Sequence, residues 1–414
     1  AHDVQSVSLS AVDWTTNCAA DTRYELRACN ILTNGTAMVA TESIKRSLGH
    51  RDYGMYGYDL RYNTIIGNHD VQIGYRKHTD YRVRHDQYVG ERYTLGSNNT
   101  MTLLYGDYEK EVSGDADYAF ATSLSLIDRI SHGNFTTTLG LRHEDVDYAD
   151  IAKVSGTATD RNNDKTMIAA STVYDMGNGK SAFIGYSQGY MPTGVSSALP
   201  EESDNYEVGY RKVSAGSFLE VIGFFNDYDQ LIDTCLAAAG CTGDTGSTTN
   251  AGAAEIKGIE FQYRLNNLFA APAMKGMAAH SSIRYPLLIT GMLQSSEYKG
   301  DEANNVGNSV QYVPDFQMYT SLGMETNNWS VALGGKYHDD TFTNDANTFR
   351  TGKGWVFDLT SSMALPINTG GIKNARVFFN VDNLFDKVMV ASEHEYGKRP
   401  NKPVSVMAGV KFDF

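Results

Sequence analysis

The chain has 414 residues, 41% of them hydrophobic, and carries 35 Lys or Arg against 49 Asp or Glu, which gives a formal net charge of −14. Nucleic acids are bound through basic surfaces, so this charge argues against a nucleic-acid partner. No apolar run approaches the roughly 18 residues of a transmembrane helix, which excludes membrane insertion through helices.

Apolar and polar residues alternate along most of the chain, the pattern of β-strands with two different faces. Sixteen such segments are predicted, at about 4–13, 53–62, 69–84, 117–129, 135–147, 165–175, 181–190, 204–213, 218–228, 255–265, 277–296, 315–326, 329–339, 354–365, 374–383 and 403–414. Most have the roughly 9–11 residues that a tilted strand needs to cross a bilayer. Two-faced strands suit a barrel with lipid outside and water inside. The predicted fold is therefore an all-β transmembrane antiparallel β-barrel, with residues 1–414 as one barrel domain.

The predicted connections between these strands alternate in length. Short ones, rich in Gly, Asn and Ser, are Asn63–Asn68, Ser131–Asn134, Met176–Lys180, Ser214–Ser217 and Asn327–Asn328. Long ones are Trp14–Asp52, Arg84–Asp115, Asp147–Asp164, Met191–Ser203, Asp229–Ala254, Glu297–Pro314, Asp340–Lys353 and Asp386–Lys402. Short periplasmic turns and long external loops are typical of an outer-membrane barrel. The expected location is the outer membrane of a Gram-negative bacterium, in contact with lipid and lipopolysaccharide.

The four cysteines form two close pairs in predicted long loops, Cys18 with Cys29 and Cys235 with Cys241. Neither pair has Cys-x-x-Cys spacing, and no histidine beside them suggests zinc. Two loop-closing disulfides in an oxidising compartment are favoured over free thiols.

Four sequence blocks stand at the ends of predicted strands. They are Pro200–Arg211, which contains Glu201, Tyr206, Glu207 and Gly209; Asn250–Gly252, followed by Gly258 and Glu260; Asn380–Lys387, which contains Asn383, Leu384, Phe385 and Asp386; and Arg399–Pro400, which leads into the last strand and Phe414. In this order and spacing the blocks resemble the barrel of TonB-dependent receptors. Each also has a local structural reason, because Gly permits close backbone approach and Asn-Leu-Phe-Asp suits the end of a strand.

Three further segments are similar to the ferric-citrate and siderophore branch of that family: Arg51–Arg61, Ile73–Arg76 and Phe342–Thr348. The resemblance covers about residues 51–414. It implies energised import, in which a ferric chelate or similar nutrient binds at the outer face and enters when the TonB complex pulls on an N-terminal plug. The mechanism includes no chemistry on the ligand, so the resemblance implies neither an enzyme nor a cofactor.

The sequence departs from the family pattern at its start. Family barrels have about 22 strands and a plug, whereas only about the final sixteen strands are predicted here, with neither plug nor TonB-contact box. The missing parts would belong to upstream residues or to a separate chain, or else sixteen strands close by themselves. Sixteen is also the size of diffusion porins, so a passive porin remains the alternative.

One predicted strand contains a proline. Pro286 lies within the predicted strand 277–296 and lacks the N–H that a ladder needs. We expect a bulge there, or a strand that begins elsewhere.

Binding of an anionic chelate calls for cations at the outer vestibule, since Arg side chains hold carboxylates in bidentate pairs. The candidates are Arg82, Arg84, Arg161 and Arg350, which fall at the external end of a strand or in predicted external loops. The alternative for each is a solvated or lipopolysaccharide-facing cation.

Three short segments contain residues of metal-ligand type: His143-Glu144-Asp145, His338-Asp339-Asp340 and Glu393-His394-Glu395. Adjacent residues of a strand point to opposite faces, so structural or surface roles are favoured and no metal site is expected. The sequence has no Gly-x-Ser-x-Gly, His-Glu-x-x-His or phosphate-binding glycine loop, which disfavours an outer-membrane protease or lipase.

Overall fold

A single large sheet dominates the computed structural model, which describes residues 44–45, 48–87, 92–95, 101–105, 115–152, 155–194, 198–234, 248–270, 283–299, 305–367, 373–394 and 397–413. The sheet contains 15 strands in chain order. They are β1 Leu48–Ile66, β2 His69–Gln87, β3 Asp115–His132, β4 Phe135–Ala152, β5 Ala158–Gly177, β6 Lys180–Met191, β7 Glu201–Ser214, β8 Ser217–Asp229, β9 Ala253–Leu265, β10 Leu287–Lys299, β11 Phe316–Glu325, β12 Trp329–His338, β13 Gly354–Ala364, β14 Lys373–Asp382 and β15 Ser405–Asp413. Neighbouring strands are antiparallel, and β1 and β15 form the two edges of the described sheet.

Shorter strands lie in the connections. Ile44–Lys45, Arg92–Leu95 and Met101–Tyr105 form a three-stranded sheet. Ile232–Thr234 pairs with Thr248–Asn250, and Val390–His394 pairs with Gly397–Pro400. The described residues include one short 3-10 helix, Leu268–Ala270, and no helix among them is long and apolar enough to cross a membrane.

Tight turns join the strands at one of their two ends, and we call this end of the sheet the turn edge. The opposite end, where the longer connections lie, is called the loop edge. Asn178 and Gly179 join β5 to β6 with φ values of 55° and 71°. This left-handed pair matches the twist of a two-residue hairpin, and glycine and asparagine adopt it at low cost. The predicted alternation of short and long connections is confirmed for most of the described chain.

The sheet has an apolar face and a polar face. Along β3, Leu124 and Leu126 alternate with Ser123 and Ser125, as a strand requires. The apolar face exposes large side chains on many strands, among them Leu124 (55% exposed), Ile184 (63%), Val208 (60%), Ile259 (51%) and Leu293 (55%). An exposed apolar surface of this extent fits contact with lipid.

Aromatic rings follow the apolar face near the loop edge. The ring centroids of Phe316, Tyr337, Trp355 and Phe357 are separated in succession by 5.6, 5.5 and 5.7 Å. Tyr206 continues such a row farther along the sheet, 5.2 Å from Tyr186. Aromatic girdles mark the membrane–water interface of outer-membrane barrels, so these rings indicate where the bilayer ends.

The strands differ in length across the sheet. β2 has 19 residues and β5 has 20, whereas β11 and β12 have 10 each. Because about 9–11 tilted residues cross a bilayer, β1 to β5 continue well beyond it on the loop side. The predicted long connection Asp147–Asp164 is therefore wrong: β4 runs to Ala152 and β5 begins at Ala158.

Fifteen of the sixteen predicted strands correspond to β1–β15, and the all-β antiparallel prediction is confirmed. The predicted strand 4–13, residues 14–43 of the predicted loop before β1 and all four cysteines lie outside the described residues, as do Phe414 and residues 277–282 of the predicted strand 277–296.

Of the two outcomes expected at Pro286, the bulge is wrong and the different start of the strand is confirmed. Arg284 pairs with Glu325 and Leu287 pairs with Leu322, so the register passes the proline without a shift. The Pro286 carbonyl accepts a 2.8 Å hydrogen bond from the Gly323 backbone N–H. The reciprocal bond is missing because Pro286 has no N–H to donate. The strand begins at Leu287, directly after the proline, which is a position where proline is tolerated.

Candidate functional site

A recess of about 420 Å³ opens at the loop edge, on the polar face of β11–β14. We call it the loop-edge recess. The strands contribute Gln317, Lys336, His338, Val356, Asp358 and Asp382, and the connections contribute Tyr312, Pro314, Asp339, Thr341, Thr351, Gly352, Asn383, Met389, Val390, Ala391, Asn401 and Lys402. Most of its lining residues are polar or charged, but apolar atoms make up most of the surface that they expose, so the recess suits a solute with both polar and apolar parts.

Strand alternation determines which side chains of β12 line the recess. Lys336 and His338 occupy the polar face, whereas Leu333 and Tyr337 occupy the apolar face. Gln317 lies directly opposite His338 on β11. Lys336 is exposed and forms no ion pair within the described parts of the chain, although carboxylates line the same recess.

The opposite wall carries carboxylates. The Lys402 ammonium donates a 2.6 Å hydrogen bond to Asp382 Oδ2, which also accepts from the Ser405 hydroxyl at 3.2 Å. Asp358 Oδ1 accepts a 2.7 Å hydrogen bond from the backbone N–H of Asn383. The recess therefore has both charges, with the three carboxylates of Asp339, Asp358 and Asp382 against Lys336 and Lys402. Lys402 pairs with Asp382, whereas Lys336 pairs with no carboxylate within the described residues.

Asn383 holds the connection beside the recess in shape. Its side chain is 3% exposed; Nδ2 donates to the carbonyls of Lys387 and Lys402 at 3.0 and 2.9 Å, and Oδ1 accepts the Lys387 amide at 2.8 Å. Both Asn383 (φ 50°) and Asp386 (φ 46°) are left-handed, and Asp386 Oδ1 accepts the Val404 amide at 2.9 Å. The Asn-Leu-Phe-Asp block thus forms a turn held by side-chain hydrogen bonds. The Phe385 ring packs edge-on against Phe357, with ring centroids 5.6 Å apart.

The other motif residues have structural contacts as well. Glu201 Oε2 accepts the Ile232 amide at 2.8 Å. A Cβ on Gly209 would lie 2.2 Å from the Phe183 ring, and one on Gly258 would lie 2.3 Å from the Leu293 carbonyl. Tyr206 belongs to the aromatic row on the apolar face.

Two glutamates of these motifs face a second hollow on the polar face. Glu207 and Glu260 line a space of about 380 Å³ together with Phe224, Asn226 and Gln294. Both are exposed, and neither forms an ion pair within the residues that the structure describes. This part of the polar face is acidic and open to a partner with positive charge.

The four arginines predicted to bind ligand do not form one basic cluster. The Arg82 guanidinium pairs with Asp115, at 3.2 Å, and with Asp117. Arg161 Nη1 donates to the Ala198 carbonyl at 2.6 Å. Arg84 lies on β2 two residues beyond Arg82, and Arg350 lies across the sheet between β12 and β13. Their role in ligand binding stays a prediction.

Arg82 sits among acidic side chains. Asp115, Asp117 and Asp150 each place one carboxylate oxygen within 4.8 Å of the others. Because the Arg82 guanidinium already pairs with two of the three, it neutralises much of this charge.

Arg350 belongs to a compact ion cluster in the connection after β12. Its guanidinium lies 3.8 Å from the Phe342 ring centre and donates to Asp340 at 2.6 Å, and Lys353 donates to the same carboxylate at 2.9 Å. The Lys353 and Arg350 hydrogen bonds hold the pKa of Asp340 well below its usual range, and Asp340 raises the pKa of Lys353.

The residues of metal-ligand type separate as strand alternation requires. His143 Nδ1 lies 2.9 Å from the Thr166 hydroxyl on one face, whereas Glu144 pairs with Arg142 on the other. His338 faces the recess, but Asp339 and Asp340 belong to the following connection. Lys336 and Lys402 were not among the residues predicted from the sequence. The only signal was the position of Lys336, two residues before His338 on the polar face.

Comparisons with known proteins agree with this architecture. The family model described as "TonB dependent receptor-like, beta-barrel" matches residues 8–384. The ferrichrome outer membrane transporter/phage receptor of Escherichia coli (strain K12) is 24% identical over 277 residues, which are 66% of this chain and 35% of that protein.

Solved structures share the fold at low identity. The unliganded ferric citrate transporter FecA superposes with a TM-score of 0.66 and 17% identity over 90% of this chain and 57% of that one. The siderophore receptor PiuA from Acinetobacter baumannii gives a TM-score of 0.66 and 14% identity, over 91% of this chain and 58% of that one. The chain thus spans about a third of the curated relative and somewhat more than half of these structures.

Proposed function

Because the chain belongs to the TonB-dependent receptor β-barrel family, we propose that it is the barrel portion of an outer-membrane receptor that imports a ferric chelate. The observation that carries the proposal is the loop-edge recess, a hollow on the polar face at the loop end of a two-faced sheet, with Lys336 on its wall and in no ion pair within the described residues. Relatives named for ferric citrate, ferrichrome and siderophores support the iron chelate as cargo.

The apolar face and its aromatic rows support a location in the outer membrane of a Gram-negative bacterium. On the polar face, the acidic hollow of Glu207 and Glu260 gives a plug with basic residues a surface to pack against. We propose that such a plug couples this barrel to the TonB complex.

The chelate would bind first through charge. An anionic chelate approaching Lys336 gains an ion pair in a partly enclosed site, where water screens it less than at a free surface. His338 on β12 and Gln317, its direct partner on β11, supply hydrogen bonds to the oxygen atoms of the chelate. No atom of the chelate changes oxidation state or bonding in this step.

Uptake of ⁵⁵Fe as ferric citrate, a ferric hydroxamate and a ferric catecholate tests the proposal, with cells lacking the protein as the baseline. We expect uptake of at least one chelate that stops when an uncoupler removes the proton gradient. Lys336→Ala should weaken uptake of an anionic chelate several-fold. The matched control is Lys257→Ala, an exposed lysine on the opposite face, beside Phe225.

Uptake that continues in uncoupled cells, with large ion conductance in planar bilayers, would refute gated import and favour a diffusion porin. Energised uptake with equal rates in Lys336→Ala and Lys257→Ala would leave the receptor function standing but remove the recess as the binding site.

A further inference from the structure

The loop-edge recess contains a carboxylate with spare hydrogen-bonding capacity. Asp358 lines the recess from β13, is partly exposed, and forms no ion pair with any residue that the structure describes. Its Oδ1 atom accepts the Asn383 backbone N–H at 2.7 Å, which is the only hydrogen bond of this side chain among the described residues. An ionised carboxylate has about four acceptor positions, so a solute in the recess can still donate to Asp358.

The other two carboxylates of the recess lie beside cations. The Lys402 ammonium donates to Asp382 Oδ2 at 2.6 Å. Asp339 is the neighbour of Asp340, whose carboxylate holds two cations of the connection after β12 at 2.6 and 2.9 Å. Asp358 is therefore the carboxylate of the recess that is best placed to take a cation from a solute.

Asp358 lies deeper in the recess than Lys336. Lys336 is the direct partner of Val356, and Gly334 is the direct partner of Asp358, so Asp358 is two residues farther from the loop edge. Two residues of an antiparallel strand span about 7 Å. A solute that enters from the loop edge thus meets a cation first and a carboxylate about one strand pleat below it.

Apolar side chains fill the remainder of the recess wall. Tyr312, Pro314, Val356, Met389 and Val390 line it, and apolar atoms make up most of its exposed surface. A hydrocarbon arm would leave water by packing against these atoms. An arm that ends in an anion would place that charge against Asp358, whereas an arm that ends in an ammonium would form an ion pair there.

We propose that the imported ferric chelate carries a protonated amine on a flexible apolar arm. The ammonium pairs with Asp358, the arm lies against Val356 and Met389, and the iron-binding oxygens accept hydrogen bonds from Lys336. The inference rests on the proposed function, since it names the class of chelate that the same recess takes. It sets such chelates apart from ferric citrate, which has carboxylates and no cationic group.

Three ferric trihydroxamates with the same iron centre test the proposal. One has a linear chain that ends in an ammonium, the second is its neutral N-acetyl derivative, and the third is its N-succinyl derivative, which ends in a carboxylate. Uptake of ⁵⁵Fe is measured in cells that contain the protein and in cells that lack it. We expect half-maximal uptake of the ammonium form at a concentration about ten-fold lower than that of the N-acetyl form, as for one charged hydrogen bond. The N-succinyl form should be the weakest of the three.

Two variants then test the residue itself. In Asp358→Asn the side-chain oxygen can still accept the Asn383 backbone N–H, so the adjoining turn is retained. This variant should treat the ammonium and N-acetyl forms alike, and Asp358→Lys should prefer the N-succinyl form. The control is Asp229→Asn, an exposed carboxylate at the end of β8 and outside the recess, which should keep the wild-type order.

Energised uptake of all three chelates with equal affinity in wild type would overturn the proposal, and this comparison needs no variant to fold. A preference for the ammonium form that persists in Asp358→Asn would overturn the assignment to this residue. In both cases the receptor function would stand. If neither these chelates nor ferric citrate, a second hydroxamate or a catecholate entered by energised uptake, the proposed function would fall, and the inference with it.

Discussion

Removing the Asn383 side chain should open the connection between β14 and β15. Asn383→Ala deletes three hydrogen bonds of a side chain that is 3% exposed. At about 1 kcal/mol each these amount to about 3 kcal/mol. Alanine in the left-handed conformation, at φ 50°, costs about 1 kcal/mol more. The total of about 4 kcal/mol corresponds to about a thousand-fold change in the local opening equilibrium.

Hydrogen exchange measured by mass spectrometry follows this opening. The amides of Asn401 and Val404 are suitable, because their acceptors, the Met389 carbonyl and Asp386 Oδ1, remain in the variant. Asn383→Gly, which has no left-handed penalty, should exchange about five-fold more slowly than Asn383→Ala. Asn63→Ala, at an exposed site with one bond from Gln72, should match wild type. Less than ten-fold acceleration in Asn383→Ala would refute the reasoning.

Three further predictions concern other parts of the chain. The pKa of Asp340 is lower in the folded protein than in the unfolded chain, so the stabilisation from its ion pairs is present above about pH 4 and is lost as the pH falls through the lower, folded value. Between pH 7 and pH 3, wild type should therefore lose more hydrogen-exchange protection in the connection after β12 than Asp340→Asn does. Equal losses would contradict the ion cluster. Gly258→Ala should lower the free energy of unfolding in urea by about 1–3 kcal/mol, because the added Cβ meets the backbone carbonyl of Leu293 at 2.3 Å, while Gly140→Ala, whose nearest contact is 3.5 Å, should change it little. Alkylation without reductant should label none of the four cysteines if Cys18–Cys29 and Cys235–Cys241 are disulfides, and labelling of either pair would contradict the prediction.

Strand alternation was sufficient to predict most of this fold, since each strand that crosses lipid needs one apolar face. The prediction failed where the strands extend beyond the bilayer and no longer need an apolar face. Beyond the bilayer both faces of β4 and β5 meet water, so Asp147, Asn162 and Asp164 looked like a loop although the ladder continues. Pro286 was misjudged because the missing donor costs one bond, whereas the pairing on either side fixes the register.

The candidate site was less accessible from sequence because pairing depends on neighbours distant in the chain. Arg82 looked available for an anion, but β3 brings Asp115 and Asp117 against it. Lys336 looked ordinary, and it became a candidate only because β11, β13 and β14 place it on the wall of a recess with Asp358 and Asp382. Sequence gives the face on which a charge lies, whereas the opposing strands decide whether it is neutralised.

Under the proposed function, the unequal strand lengths also determine which large objects reach the loop-edge recess. β2 exceeds β12 by nine residues, which at about 3.3 Å per residue and a tilt near 40° raises one side by about 20 Å. A particle too large to pass between the loops, such as an antibody or a phage tail, would meet this wall when approaching from the side of β1–β5. Among the described strands, β11–β14 form the lower side, so binders selected to block the proposed uptake should be raised against that side.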